Sequence, residues 1–294
     1  MRNLISMDTI QIEICNVCNK SCANCTRFCS HVSKPYFMEF DEFKVAVDSM
    51  VGYPKMTGIQ GGEPLLHPYF EKMCEYLSSK INPEQLGLWT TLPKGYEHYR
   101  EIIVKTFKHI FINDHSRSDI YHHPPLVAIE EVIPDKNLMW GFIDKCWAQE
   151  WWSASINPRG AWFCEMAASL SMLFEEGEGW KIEPGWWYRI PKDFTSQMEQ
   201  FCPRCGMAAS LRRRASIENV DDISSNNYLK LKDKVRNSNR FIISDCKIVK
   251  DPEPLAAYKN FDYRNSIAKS YGMFLVINSK NFWTPYLYKS WSKG

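Results

Sequence analysis

The chain has 294 residues, with 36 basic and 34 acidic side chains and a net charge of +2. That length suffices for one large domain plus a smaller one, and the balance argues against a global field gathering nucleic acid or anionic membrane. No apolar run reaches membrane-spanning length, and the opening MRNLISMDTI is too short and too polar for a signal peptide, so a reducing cytoplasm is expected. There, the 11 cysteines are better explained as metal or redox ligands than as disulfides. The 11 tryptophans and 14 tyrosines suit a core and a pocket for a flat or sugar-like ligand.

In chain order, the alternating run DTIQIEI predicts a strand that runs into CNVCNKSCANC. Cys18, Cys22 and Cys25 stand there as C-x3-C-x2-C. A structural zinc site wants four ligands, as does an ordinary [4Fe–4S] cluster. Three thiolates on a cubane leave one iron open, and an open iron can bind a substrate or cofactor. Cys15 or Cys29 could complete a tetrad, so the count alone leaves both readings standing.

FDEFKVAVDSMVGY has helical periodicity, with Phe40, Phe43, Val47 and Met50 on one face. KMTGIQGGEPLLHP predicts a short strand over 57–60 that ends in Gly61, Gly62, Glu63 and Pro64. Paired glycines admit close approach of backbone to a ligand, and Glu63 offers a carboxylate suited to an ammonium. Alone, GGEP reads as a tight turn. PYFEKMCEYLSSK and HYREIIVKTFK predict helices; QLGLWTTL, HIFIND and LVAIEEVI predict strands. The alternation implies a parallel sheet with its site at the strand C-termini. Thr90 and Thr91 close the third strand; Asn113, Asp114, His115 and Ser116 close the fourth. The stretch DHSRSDIYHHPP matches no zinc spacing and reads as a substrate-facing loop or a solvated one.

A second cysteine group follows. Cys146 and Cys164 flank a predicted hairpin, WWSASI and AWFCE about Asn157-Pro158-Arg159-Gly160. Cys202 and Cys205 lie in CPRCG, which on its own resembles a zinc knuckle. Further on, Arg212 to Arg214 read as exposed charge and Asp221-Asp222 as a helix cap and loop. The tail NSKNFWTPYLYKSWSKG mixes aromatics with lysines; docking on the preceding domain is favoured over single-stranded nucleic acid.

IEICNVCNKSCANC resembles the opening motif of the radical S-adenosylmethionine (SAM) superfamily, and GGEP one strand–helix unit later resembles that family's second motif. The resemblance spans about residues 8 to 206. It implies an α/β fold: a partial (β/α)6 TIM-like barrel over 1–145, then a twitch domain (β-hairpin plus helix) over 146–210 carrying an auxiliary cluster. The extension 211–294 lies beyond it.

By this resemblance Cys18, Cys22 and Cys25 hold a [4Fe–4S] cluster whose open iron is chelated by SAM, with Cys15 outside the set. Gly61, Gly62, Glu63 and Pro64 meet the SAM amino group, and Thr90, Thr91 and Asn113 lie near the cofactor. Cys146, Cys164, Cys202 and Cys205 hold an auxiliary [4Fe–4S] cluster. SAM would be cleaved reductively to a 5′-deoxyadenosyl radical, with an electron donor such as flavodoxin or ferredoxin. An auxiliary cluster favours oxidation (dehydrogenation or a cross-link) of a small polar metabolite, sugar, nucleotide or peptide; epimerisation and rearrangement are alternatives. The competing class is a non-catalytic zinc- or nucleic-acid-binding module, with no membrane partner in either case.

Overall fold

The computed structural model describes residues 1–113, 115, 120–249 and 275–278. Strand β1 (Thr9–Glu13) leads through the cysteine loop to helix α1 (Phe40–Met50). Then come β2 (Met56–Gln60), α2 (Phe70–Lys80), β3 (Leu86–Thr90), α3 (Arg100–Thr106) and β4 (His109–Ile112). Strand β5 (Tyr121–His122) precedes three short helices, α4 (Ile129–Val132), α5 (Lys136–Ile143) and α6 (Trp147–Trp151). The hairpin of β6 (Ala154–Asn157) and β7 (Gly160–Trp162) runs into α7 (Glu165–Phe174), followed by α8 (Thr195–Phe201). Next are β8 (Arg214–Ala215), β9 (Asp221–Ile223), α9 (Ser225–Leu231), β10 (Phe241–Ile243) and β11 (Leu275–Asn278).

Among the described residues the main sheet has the order β11-β4-β3-β2-β1-β6-β7. Strands β1 to β4 and β6 are mutually parallel, and β7 and β11 are antiparallel at the two ends. This is a mixed α/β fold with a parallel centre, compatible with a partial barrel. Among the described residues five strands of this sheet are parallel, where a (β/α)6 arrangement would have six. LVAIEEVI does not form a strand: Leu126 makes an isolated bridge to Ile223, and Ile129 opens α4. Apolar runs this short do not by themselves separate a strand from a buried helical turn. The hairpin, expected in a following domain, extends the main sheet, with β6 beside β1.

The alternation in β1 decides the layers. Ile10, Ile12 and Ile14 are fully buried on one face, in the main core with Phe43, Val47, Met50, Met73, Leu77 and Ile103 of α1, α2 and α3. A capping box sets the start of α1: the Glu39 N–H donates to the Glu42 carboxylate at 3.1 Å. Thr9, Gln11 and Glu13 face the other way, equally buried. On that second face Met56, Trp89 and Phe111 make a separate apolar cluster, with the two rings stacked at 4.2 Å. The Trp89 indole occupies the space above Gly58 that any larger side chain would need. None of the described helices is long and apolar enough to cross a membrane.

Candidate functional site

The two sequence motifs meet at the C-terminal ends of β1 and β2. Gly62 N–H donates to the Cys15 carbonyl and Glu63 N–H to the Val17 carbonyl, each at 2.8 Å. A Cβ on Gly62 would run into the Val17 carbonyl, and one on Gly61 would stand 2.5 Å from that of Cys15. The glycines are therefore required by this close approach to the cysteine loop. Cys15 is buried beneath the turn, its thiol donating to the Glu63 carbonyl at 3.5 Å, and burial pushes that thiol up to about 12. It packs as a core residue.

Glu63 is fully buried. Its Oε1 accepts from the Thr90 hydroxyl at 2.6 Å and the Leu65 N–H at 3.2 Å. Its Oε2 accepts from the Thr91 N–H at 2.6 Å and the Thr91 hydroxyl at 2.7 Å. Burial outweighs these donors and raises the carboxyl above its ordinary range. Glu63, Thr90 and Thr91 thus converge, but with about four acceptor positions on a carboxylate all used, the Glu63 side chain ties β2 to β3. Asn113 sits one strand further, its N–H donating to the Thr90 carbonyl at 2.9 Å. Pro64 is buried and opens the short turn after Glu63. Asp114 and Ser116 lie outside the described residues.

Among the described residues, no three His, Cys, Asp or Glu side chains are set as a metal-binding group. The thiols of the first loop are nevertheless neighbours. Cys29 hydrogen-bonds to Cys18 and to Cys25; its donation is the leading reason that Cys25 is held down at about 6. Cys22 is pushed up by burial and then by Cys25 and Cys18. Cys29 also lies against Gly62, its Sγ 3.0 Å from where a Cβ would stand. Its spacing in the sequence signalled this, as a possible fourth thiol.

The second group also gathers. Cys146, Cys164, Cys202 and Cys205 line one pocket that is partly open to solvent, with Phe163 and Leu170 in its wall. Burial raises all four thiols, Cys164 to about 12, and mutual proximity adds to the rise for Cys164, Cys202 and Cys205. Four thiols in apolar surroundings resist ionising together; a bound cationic centre would reverse that. The donor set is thus one that suits a metal or iron–sulfur group.

A buried ion pair connects the two groups. Arg27, two residues past Cys25, reaches Glu165, next to Cys164, at 2.6 Å, with side chains 4% and 7% exposed. The same guanidinium donates to Gln11 Oε1 at 3.0 Å and Ser169 Oγ at 2.9 Å. Neither partner stood out in the sequence.

The segment after residue 210 clasps the cysteine loop. His31 meets Asp221 at 2.8 Å, both side chains 4% exposed or less, and Arg240 meets Asp221 at 3.3 Å. Arg240 also donates to the Ser21 carbonyl and to Ser30 Oγ, each at 2.9 Å. Asn24 exchanges two hydrogen bonds with Asp222, at 2.8 and 2.9 Å. Asp221-Asp222 therefore does not cap a helix; it opens β9 and faces the loop. Arg214 is not free charge either: it pairs with Asp222 at 2.6 Å and Glu218 at 2.7 Å. In the histidine stretch, His122 pairs with the Ala23 carbonyl at 2.7 Å and with His115 at 3.2 Å. His123 donates to the Gly206 carbonyl at 3.0 Å, and burial lowers it to about 4. Both rings serve internal contacts. The aromatic tail after residue 278 lies outside the described residues.

No family model matches the chain, and no curated protein matches it. The crystal structure of BtrN in complex with AdoMet and 2-DOIA aligns with 67% of this chain and 88% of its own, at 13% identity and a TM-score of 0.44. A likeness of that size bears on neither ligand nor reaction.

Proposed function

We propose that the chain is a radical SAM enzyme that oxidises a small polar molecule. The observation that carries this reading is the stitching of GGEP onto the entry to the C-x3-C-x2-C loop by two 2.8 Å backbone hydrogen bonds. Two motifs more than thirty residues apart meet at the strand ends where parallel α/β sheets carry their ligands. On this reading Cys18, Cys22 and Cys25 hold one [4Fe–4S] cluster, and Cys146, Cys164, Cys202 and Cys205 hold a second. With SAM bound, the first cluster would supply one-electron reductive chemistry at the sulfonium and, from it, hydrogen abstraction from substrate carbon.

The chain's own residues do the remaining work. Glu63, Thr90 and Thr91 fix the end of β2 against that of β3, which holds the GGEP backbone beside the cysteine loop. Arg27 and Glu165 tie that loop to α7 and the second thiol pocket. Asp221, Arg240 and Asp222 hold its outer side. Four thiols lining one pocket favour oxidation over a redox-neutral reaction, since an electron removed from substrate needs a destination.

Metal analysis tests this. Anaerobic reconstitution should give about eight irons and eight sulfides per chain, from two cubanes. Stoichiometric zinc with little iron would overturn it.

A further inference from the structure

The inner face of the sheet carries buried oxygens that have no partner among the described residues. Along β1 and β2 the register pairs Glu13 with Gln60, Gln11 with Gly58 and Thr9 with Met56, so these side chains share one face. On β3 and β4 the same face carries Trp89 paired with Phe111, and Asn113 continues it. The lower part is apolar, built from Met56, Trp89 and Phe111. The upper rim, at the strand ends nearest the cysteine loop, is polar. There Glu13 Oε2, Gln60 Oε1 and Asn113 Oδ1 are buried with no hydrogen-bond partner among the described residues.

Glu13 is the informative member, because a carboxylate has no amide nitrogen to turn into place. It is 1% exposed. The cation facing it is Arg27, and that guanidinium is already in contact with Glu165 at 2.6 Å. One cation therefore stands among two buried carboxylates. The remaining neighbours act in opposite directions: Tyr36 lies over Glu13, its hydroxyl donating to the Glu13 carbonyl at 3.1 Å and also favouring the charged carboxylate, whereas Cys25 and Glu165 disfavour it. A buried carboxylate that shares its one cation with a second carboxylate is costly, and folds resolve it with a proton or a bound cation. Burial indeed holds the Glu13 carboxyl up at about 7.

We propose that this rim is the substrate subsite and that it takes an ammonium-bearing small molecule, with Glu13 as the residue that selects the cation. Gln60 and Asn113 supply further acceptor oxygens to donors on the same molecule, and the Trp89–Phe111 stack forms an apolar floor beneath. The inference rests on the radical SAM reading for the word substrate; the cation preference stands on the geometry alone.

The test uses reconstituted full-length protein and two matched probe pairs, glucosamine against glucose and ethanolamine against ethylene glycol, with binding measured calorimetrically at pH 8. The wild-type protein should bind at least one amine about tenfold more tightly than its hydroxyl counterpart, as expected for a charge-assisted contact. Glu13→Gln should reduce that ratio to within about threefold. Gln60→Lys guards against a variant that fails to fold: it sets an internal ammonium beside Glu13, and should abolish amine preference while raising the melting temperature. Equal binding of amine and hydroxyl partners, binding of neither, or an amine preference unchanged in both variants would overturn the proposal. Formation of 5′-deoxyadenosine by the wild-type protein without probe is scored separately. Its absence would remove the radical SAM reading and leave the amine preference to stand or fall by itself.

Discussion

Glu63→Gln keeps the shape of a fully buried side chain and changes what it can accept. In the native chain two backbone N–H groups, of Leu65 and Thr91, and two threonine hydroxyls donate to the carboxylate, at 2.6 to 3.2 Å. Glutamine has one acceptor oxygen and a donor nitrogen in place of the other. A hydroxyl can turn and accept from that nitrogen, but a backbone N–H cannot. Because Leu65 N–H and Thr91 N–H address different oxygens, one of them must lose its partner. Hydrogen bonds to charged groups are worth about 1.5–3 kcal/mol, so the variant should be destabilised by about that much. Urea unfolding of cluster-free protein at constant pH should show a lower midpoint with an unchanged slope. An unchanged midpoint would refute the reasoning, since it would mean that the four donors do not hold this carboxylate. Thr91→Val adds a discriminating arm. If Glu63 acts on SAM by positioning the turn, both variants should weaken SAM binding; if it contacts the cofactor directly, only Glu63→Gln should.

Three further outcomes are expected. The folded chain holds the Glu13 proton to about pH 7 against an ordinary value of 4.5. Stability contributed by that proton is lost as pH rises through the window between them, so wild-type protein should lose about 3 kcal/mol relative to Glu13→Gln between pH 4 and pH 8, measured by urea melts. Asp221→Asn removes the charge between His31 and Arg240, and breaking a buried pair costs about 3–5 kcal/mol; iron bound by the N-terminal loop should become more readily chelated, while the second cluster is retained. Replacing Cys202 and Cys205 together should leave about four irons per chain, with product formation lost before SAM cleavage if the second cluster accepts an electron.

What was legible in the sequence was local. The alternation of Ile10, Ile12 and Ile14 with Thr9, Gln11 and Glu13 announces β1, and a 3.6-residue stripe announces α1. Asn157-Pro158-Arg159-Gly160 announces the hairpin, whose Asn157 and Gly160 do pair across the turn. The glycines of GGEP signal a close approach without saying to what. What escaped depends on contacts between distant residues. Asp221 finds His31 across 190 positions and Arg27 finds Glu165 across 138, and neither pair has a spacing that local pattern can register. LVAIEEVI failed for the opposite reason: its residues are apolar enough for a strand, but its place beside β9 gives it a single bridge and then a helical turn.

The central claim is that Cys18, Cys22 and Cys25 hold a cluster which SAM completes. Its most direct test is the formation of 5′-deoxyadenosine from SAM by anaerobically reconstituted, chemically reduced protein, wild type beside the triple alanine variant of these cysteines. The account predicts 5′-deoxyadenosine from the wild type and none from the variant, with about four irons still bound by the second pocket. Formation of 5′-deoxyadenosine by the variant, or none by an iron-replete wild type, would contradict it.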